Sequence, residues 1–156
     1  KQQKQKFHPL LQAIFPYLDS MAVLSRSVYQ EGRFPSVELL SSTSSALNIE
    51  MVGAEHNKTV IEAQNLLKRA VALERIVSLI GESELTVADQ LIYRRSRLLR
   101  SYMTQSFYVV EAQTGRPGKY VPIKQTVADA SSIIDGKYDQ FQPEKLMFIG
   151  SLSEVK

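Results

Sequence analysis

The stretch TGRPGK at residues 114–119 holds two glycines, a proline and a lysine, a composition shared with loops that bind phosphate. Such a loop needs two glycines separated by four residues, then Lys and Ser or Thr. Only that spacing lets a ring of backbone N–H groups wrap the phosphate while the hydroxyl holds magnesium. Here Gly115 and Gly118 are separated by two residues, and Lys119 is followed by Tyr120. The stretch is therefore expected to be a turn, since Pro117 and Gly118 suit turn positions for backbone reasons alone.

The remaining reactive side chains give no stronger pattern. His8 and His56 are the only histidines and do not stand one helical turn apart, as a metal-binding pair would. AEH at 54–56 reads as a first helical turn, with Glu55 favourable against the helix dipole. No GxSxG elbow supports a serine nucleophile. Glu82 and Glu84 sit in a polar turn, where solvation leaves carboxylates ordinary. No catalytic residue is assigned. YRRSRLLR concentrates Arg94, Arg95, Arg97 and Arg100 on one helix with tyrosines nearby, as in some nucleic-acid binders. The net charge is only +3, from 19 basic and 16 acidic residues, so arginines paired with neighbouring carboxylates are the better expectation and no nucleic-acid partner is expected.

Composition narrows the class further. With no cysteine, disulfides, zinc–thiolate sites and cysteine nucleophiles are excluded together. No apolar run approaches the roughly 20 residues that span a bilayer, so direct membrane insertion is not expected. The start KQQKQKFHPLL is basic, but its apolar part is too short for a signal peptide, and Lys1–Lys6 are expected to fray.

The elements that must position any site follow from periodicity. LDSMAVLSRSVYQEG predicts a helix over 18–32, with Asp19 or Ser20 as N-cap, Gly32 as stop, and Leu18, Met21, Ala22, Leu24, Ser25 and Val28 on one face. RFPSVELLSSTSSALN reads as an irregular connection at a domain boundary. The strongest signal runs from Glu50 to Ile80, with a start near Glu55, a face of Val60, Ala63, Leu67, Ala70 or Val71, and Val77 or Leu79, and Gly81 as its end. Thr86, followed three residues on by Asp89, caps a second helix that turns Leu91, Ile92, Leu98, Leu99 and Tyr102 against the first. The two form a helical hairpin. FYVVEA predicts a short strand or an extended segment, and KQTVADASSIIDG a third helix with Thr126, Ala130, Ile133 and Ile134 roughly on one face.

Read as strings, FPYLDSMAVLSRSVYQEGRFPSVELLSSTSS, MVGAEH, LIGESELTVADQLIYRRSRLLRSYMTQSF, VVEAQTGRPGKYVPIKQTV and IIDGKYDQFQPEKLMFIGSLSEV resemble, in order, the C-terminal portion of the catalytic beta subunit of F-type ATP synthases. The likeness is collinear from about Phe15 to Val155 and includes that family's TGxPGKYV stretch. It implies a mainly α fold: residues 1–46 as the end of a RecA-like α/β nucleotide-binding domain, and residues 47–156 as the C-terminal helical-bundle domain. By position, Phe34 in GRFP stands for the aromatic of the family's GxYP motif, and Tyr102 and Phe107 complete the adenine pocket. Stacking needs only a flat π-face and an apolar wall, which all three supply.

The same resemblance implies alpha-like subunits in a hexameric ring, a central-stalk gamma-like rotor, ATP or ADP with Mg2+ in the complete subunit, and a cytoplasmic or matrix-side place peripheral to a membrane. The family's acidic rotor-facing loop corresponds to Ser83, Glu84, Leu85, Thr86, Val87, Ala88 and Asp89, of which only Glu84 and Asp89 are charged. Ser45 replaces an interface arginine and Asn57 a tyrosine, departures similar to those of F-type-like ATPases of mycoplasmas. The P-loop lysine, the magnesium ligands and the water-orienting carboxylate of phosphoryl transfer are absent, so this chain alone is expected to bind none of these cofactors and not to hydrolyse ATP. The alternative is a stand-alone helical interaction module with a vestigial nucleotide pocket.

Overall fold

A computed structural model describes residues 13–155, so His8 and the polar start Lys1–Lys6 lie outside the described residues. The molecule is mainly helical. In chain order, β1 (Ser20–Met21), α1 (Arg26–Gln30), β2 (Thr43–Ser44) and α2 (Ile49–Val52) precede the long helix α3 (Ala54–Ile80). The helix α4 (Val87–Tyr102), the short α5 (Glu111–Thr114) and α6 (Ile123–Ile134) follow, with 3₁₀ turns between and after them.

The hairpin of α3 and α4 is built as its sequence demands. Gly53 and Gly81, both at positive φ, bracket α3. Gly53 also separates it from α2, so the helical signal from Glu50 is two helices. Thr86 caps α4: its hydroxyl accepts from the Asp89 N–H at 3.2 Å and donates to the Asp89 carboxylate at 2.8 Å. Leu67 of α3, Leu98, Leu99 and Tyr102 of α4, and Ala130 and Ile133 of α6 form one buried core with Leu146 and Leu152. Each fully buried leucine contributes about 1.5–3 kcal/mol relative to exposure. Of the two residues that could end the periodic face of α3, Val77 is half-buried and Leu79 is 83% exposed.

A guanidinium fork fixes α6 to α4. Arg95 donates from Nε to both Asp139 carboxylate oxygens at 2.9 and 3.0 Å, and from Nη2 to Oδ2 at 2.6 Å. Its Nη1 reaches the Ile134 carbonyl at 3.0 Å, satisfying a C-terminal acceptor of α6. The Asp139 hydrogen bond holds the guanidinium pKa above its ordinary value, against the opposing effect of burial. Gly136, at φ 85°, lies so close that a Cβ there would stand 2.0 Å from Arg95 Nη2.

Two expected elements take other forms. Instead of one helix over 18–32, residues 20–24 run extended: Ser20 pairs with Ser44, Met21 with Thr43, and Leu24 bridges Val37. The Glu38 N–H donates to the Val23 carbonyl at 2.7 Å, so non-local hydrogen bonds outcompete the local helical pattern. The helix starts only at Ser25, whose side chain caps it. FYVVEA forms no strand; a 3₁₀ turn at Tyr108–Val110 leads into α5, because the chain folds back on itself rather than along a partner.

Candidate functional site

Three segments meet where α4 ends. The Gln105 N–H donates to the Phe34 carbonyl at 2.7 Å, the Lys119 N–H donates to the Ser106 carbonyl at 3.2 Å, and the Gln105 amide donates to the Lys119 carbonyl at 2.5 Å. Buried Thr104 donates to the Ser101 carbonyl at 2.6 Å and accepts from the Phe148 N–H at 2.7 Å. The chain around Phe34, the loop after α4 and the segment at Phe148 are thus clamped together by backbone bonds and by the side chains of Thr104 and Gln105.

That space is a half-open, mostly apolar cavity of about 310 Å³, walled by Tyr29, Phe34, Phe107, Val110, Arg116 and Phe148 among others. Tyr29 packs edge-on to Phe34, with ring centroids 5.5 Å apart and planes at 88°. The Arg116 guanidinium lies over the Phe148 ring, 4.2 Å from its centroid. TGRPGK is the turn expected from its spacing: Gly115, at φ 65°, ends α5. Gly118 packs so tightly on Tyr108 that a Cβ would stand 2.5 Å from its backbone nitrogen. The Gly118 N–H donates to the Glu111 carboxylate at 2.6 Å, so the loop is rigidly seated beside the cavity.

Of the three aromatics expected in one pocket, Phe34 and Phe107 share this cavity and Tyr102 does not line it. Tyr102 is a core residue, 5% exposed, and its hydroxyl donates to Asp129 at 2.9 Å. The physical reason is Asp129, a buried carboxylate that also accepts from the Leu152 N–H at 3.0 Å and the Gln125 amide at 2.8 Å. Burial, reinforced by Asp129, pushes the Tyr102 hydroxyl pKa well above its ordinary value. Tyr29, Arg116 and Phe148 escaped sequence reasoning. Phe148, at φ 59°, places its ring in the cavity wall.

A larger cavity of about 520 Å³ opens between α1, the hairpin and the 143–147 turn. It is polar, and each guanidinium lining it is already paired: Arg33 with Glu31 at 2.7 Å, Arg97 with Glu144 at 3.7 Å, and Arg100 with Glu74. With Arg95 on Asp139, three of the four arginines of YRRSRLLR are engaged by carboxylates, as the modest charge had led us to expect.

At the far end of the hairpin, Glu82–Glu84 form a 3₁₀ turn. The seven residues from Ser83 to Asp89 do not act alike. Leu85 is buried, and Asp89 is spent on capping α4 and on Arg69 at 3.6 Å. Ser83, Glu84, Thr86, Val87 and Ala88 face outward. Leu79 and Ile80, which lay outside the expected loop, are also exposed beside it, with Val87.

No helix among the described residues is long and apolar enough to cross a membrane. Residues 46–142, more than half of the chain, match the family model described as the C-terminal domain of V and A type ATP synthase.

Proposed function

The chain belongs to the family of the C-terminal domain of V and A type ATP synthase, and from that premise we propose that it is the beta-like, nucleotide-contacting portion of a rotary ATPase subunit. On this reading it supplies one wall of an adenine pocket and a rotor-facing helical hairpin to a ring that it forms with alpha-like subunits. Its first 46 residues then finish a RecA-like nucleotide-binding domain. The assembly works on the cytoplasmic or matrix side, peripheral to a membrane.

The observation that carries this reading is the convergence of Phe34 and Phe107, from distant stretches of chain, on one apolar cavity. An adenine ring gains by burying its faces against such aromatics. The chemistry of phosphoryl transfer belongs elsewhere in the subunit. The sequence has no GxxxxGK[ST] stretch, and no group of three or more His, Asp or Glu among the described residues is placed to hold a metal ion. The described residues therefore do not fit magnesium, and their part is to bind and orient the base.

The test is ADP binding by the intact native polypeptide. Phe34→Ala is expected to weaken affinity by about 1–3 kcal/mol, the scale of a lost stacking partner. Binding that is unchanged in both Phe34→Ala and Phe107→Ala would favour the stand-alone interaction module instead.

A further inference from the structure

We propose that Arg116 is a recognition residue of the aromatic cavity, its guanidinium stacked on Phe148 and its other face offered to the base of a bound nucleotide. The proposal rests on the reading of that cavity as a base pocket. Its first support is the stack itself: the guanidinium carbon lies 4.2 Å from the Phe148 centroid, at the wall of a cavity that also holds Phe34 and Phe107. A planar guanidinium sandwiched between two π-systems is attracted by both, and unlike an ammonium it presents a flat face to each.

The second support is electrostatic. Arg33, Arg69, Arg95, Arg97 and Arg100 each have a carboxylate partner, whereas Arg26, Arg75, Arg94 and Arg116 make no ion pair among the described residues, and of these only Arg116 lines the aromatic cavity. Its charge is not spent on holding the fold. The third is conformational. Among the described residues Phe148 is the one non-glycine residue with positive φ, 59°, and its N–H is bonded to buried Thr104. Residues kept in this sparsely populated region concentrate at ligand sites, where the surrounding structure over-determines them. Here the strained backbone aims the platform on which Arg116 rests. The loop that carries Arg116 is fixed on both sides, by Gly115 ending α5 and by Gly118 against Tyr108.

Titration calorimetry of ADP and of adenosine against the complete subunit, unmodified and as its Arg116→Ala, Arg116→Lys and Phe34→Ala variants, tests this. Arg116→Ala is expected to lose about 3- to 30-fold in affinity for both ligands, as for a cation–π contact. Arg116→Lys is expected to stay nearly as weak, because the lost feature is the flat face. A loss confined to ADP and restored by Lys would assign the guanidinium to phosphate and overturn the proposal. So would full affinity in Arg116→Ala while Phe34→Ala is weakened, an outcome that leaves the base pocket standing. If the unmodified protein binds neither ligand, the pocket reading and this inference fall together.

Discussion

Tyr102 and Phe107 stand five residues apart in SYMTQSF and do different work. Both were expected to touch the base, because both are aromatic and the resemblance aligns both. The side chain that separates them is Asp129, on another helix, whose carboxylate draws the Tyr102 hydroxyl into the core. Tyr102→Phe is accordingly expected to lower stability by about 1.5–3 kcal/mol, the worth of a hydrogen bond to a charged group. Affinity for ADP should be unchanged. Urea denaturation and ADP titration on the same variant check both halves. An affinity loss like that of Phe34→Ala would return Tyr102 to the pocket. Nothing in the one-dimensional pattern marks Asp129 as buried, since acidic residues are seldom inside unless fully paired. The positive φ of Phe148 is equally silent in sequence, for no glycine or asparagine advertises it.

At the scale of elements, the hairpin was the most legible part. Its signals are local: apolar residues at helical spacing, a glycine at each end of α3, and a Thr–Asp cap on α4. The segment at 18–32 misled because its hydrogen bonds go to Ser36, Glu38 and Ser44, partners that no local window contains. The hairpin tip holds the element's own prediction. Leu79, Ile80 and Val87 are exposed there, and on the proposed reading they offer the rotor an apolar surface at and beside the diluted acidic loop. Replacing Leu79 and Val87 together by Asp is expected to change the unfolding free energy by no more than about 0.5 kcal/mol per site, as for exposed positions without partners. Recovery of the central-stalk subunit with the assembled complex should fall. Equal recovery would remove the tip from the rotor interface, and a large stability loss would show instead that these side chains pack within the chain.

At the scale of the whole molecule, the C-terminal turn closes onto the loop beside the cavity. Ser151 and Glu154 form a capping box, and Glu154 pairs with Lys119 while accepting from the N–H groups of Gly150 and Ser151. The Lys119 hydrogen bond, followed by those backbone donors, holds the Glu154 carboxyl below its ordinary pKa of 4.5, against the opposing effect of burial. A depressed carboxyl pKa stabilises the fold fully above the unfolded-state value. That contribution is lost as pH falls through the folded-state value. Glu154→Gln should therefore melt below the unmodified protein at pH 7, with the gap closing as pH falls below about 4.5. A gap independent of pH would show that the ionised carboxylate contributes nothing. This closure links residues far apart in sequence, and only the assembled molecule shows it.

The helix α4 begins at the exposed tip and ends three residues before Gln105, whose backbone is tied to Phe34. Its 16 residues make a hydrogen-bonded rod of about 24 Å, and a rod of that kind does not shorten to absorb a push along its length. Paired with α3 through Arg100 and Glu74, and through Arg69 and Asp89, it is braced against sideways bending at both ends. On the proposed rotor contact, a displacement applied at Val87 would act along α4 toward the loop that carries Phe107. The exposed tip and the aromatic cavity thus lie at opposite ends of one helix and the loop that follows it.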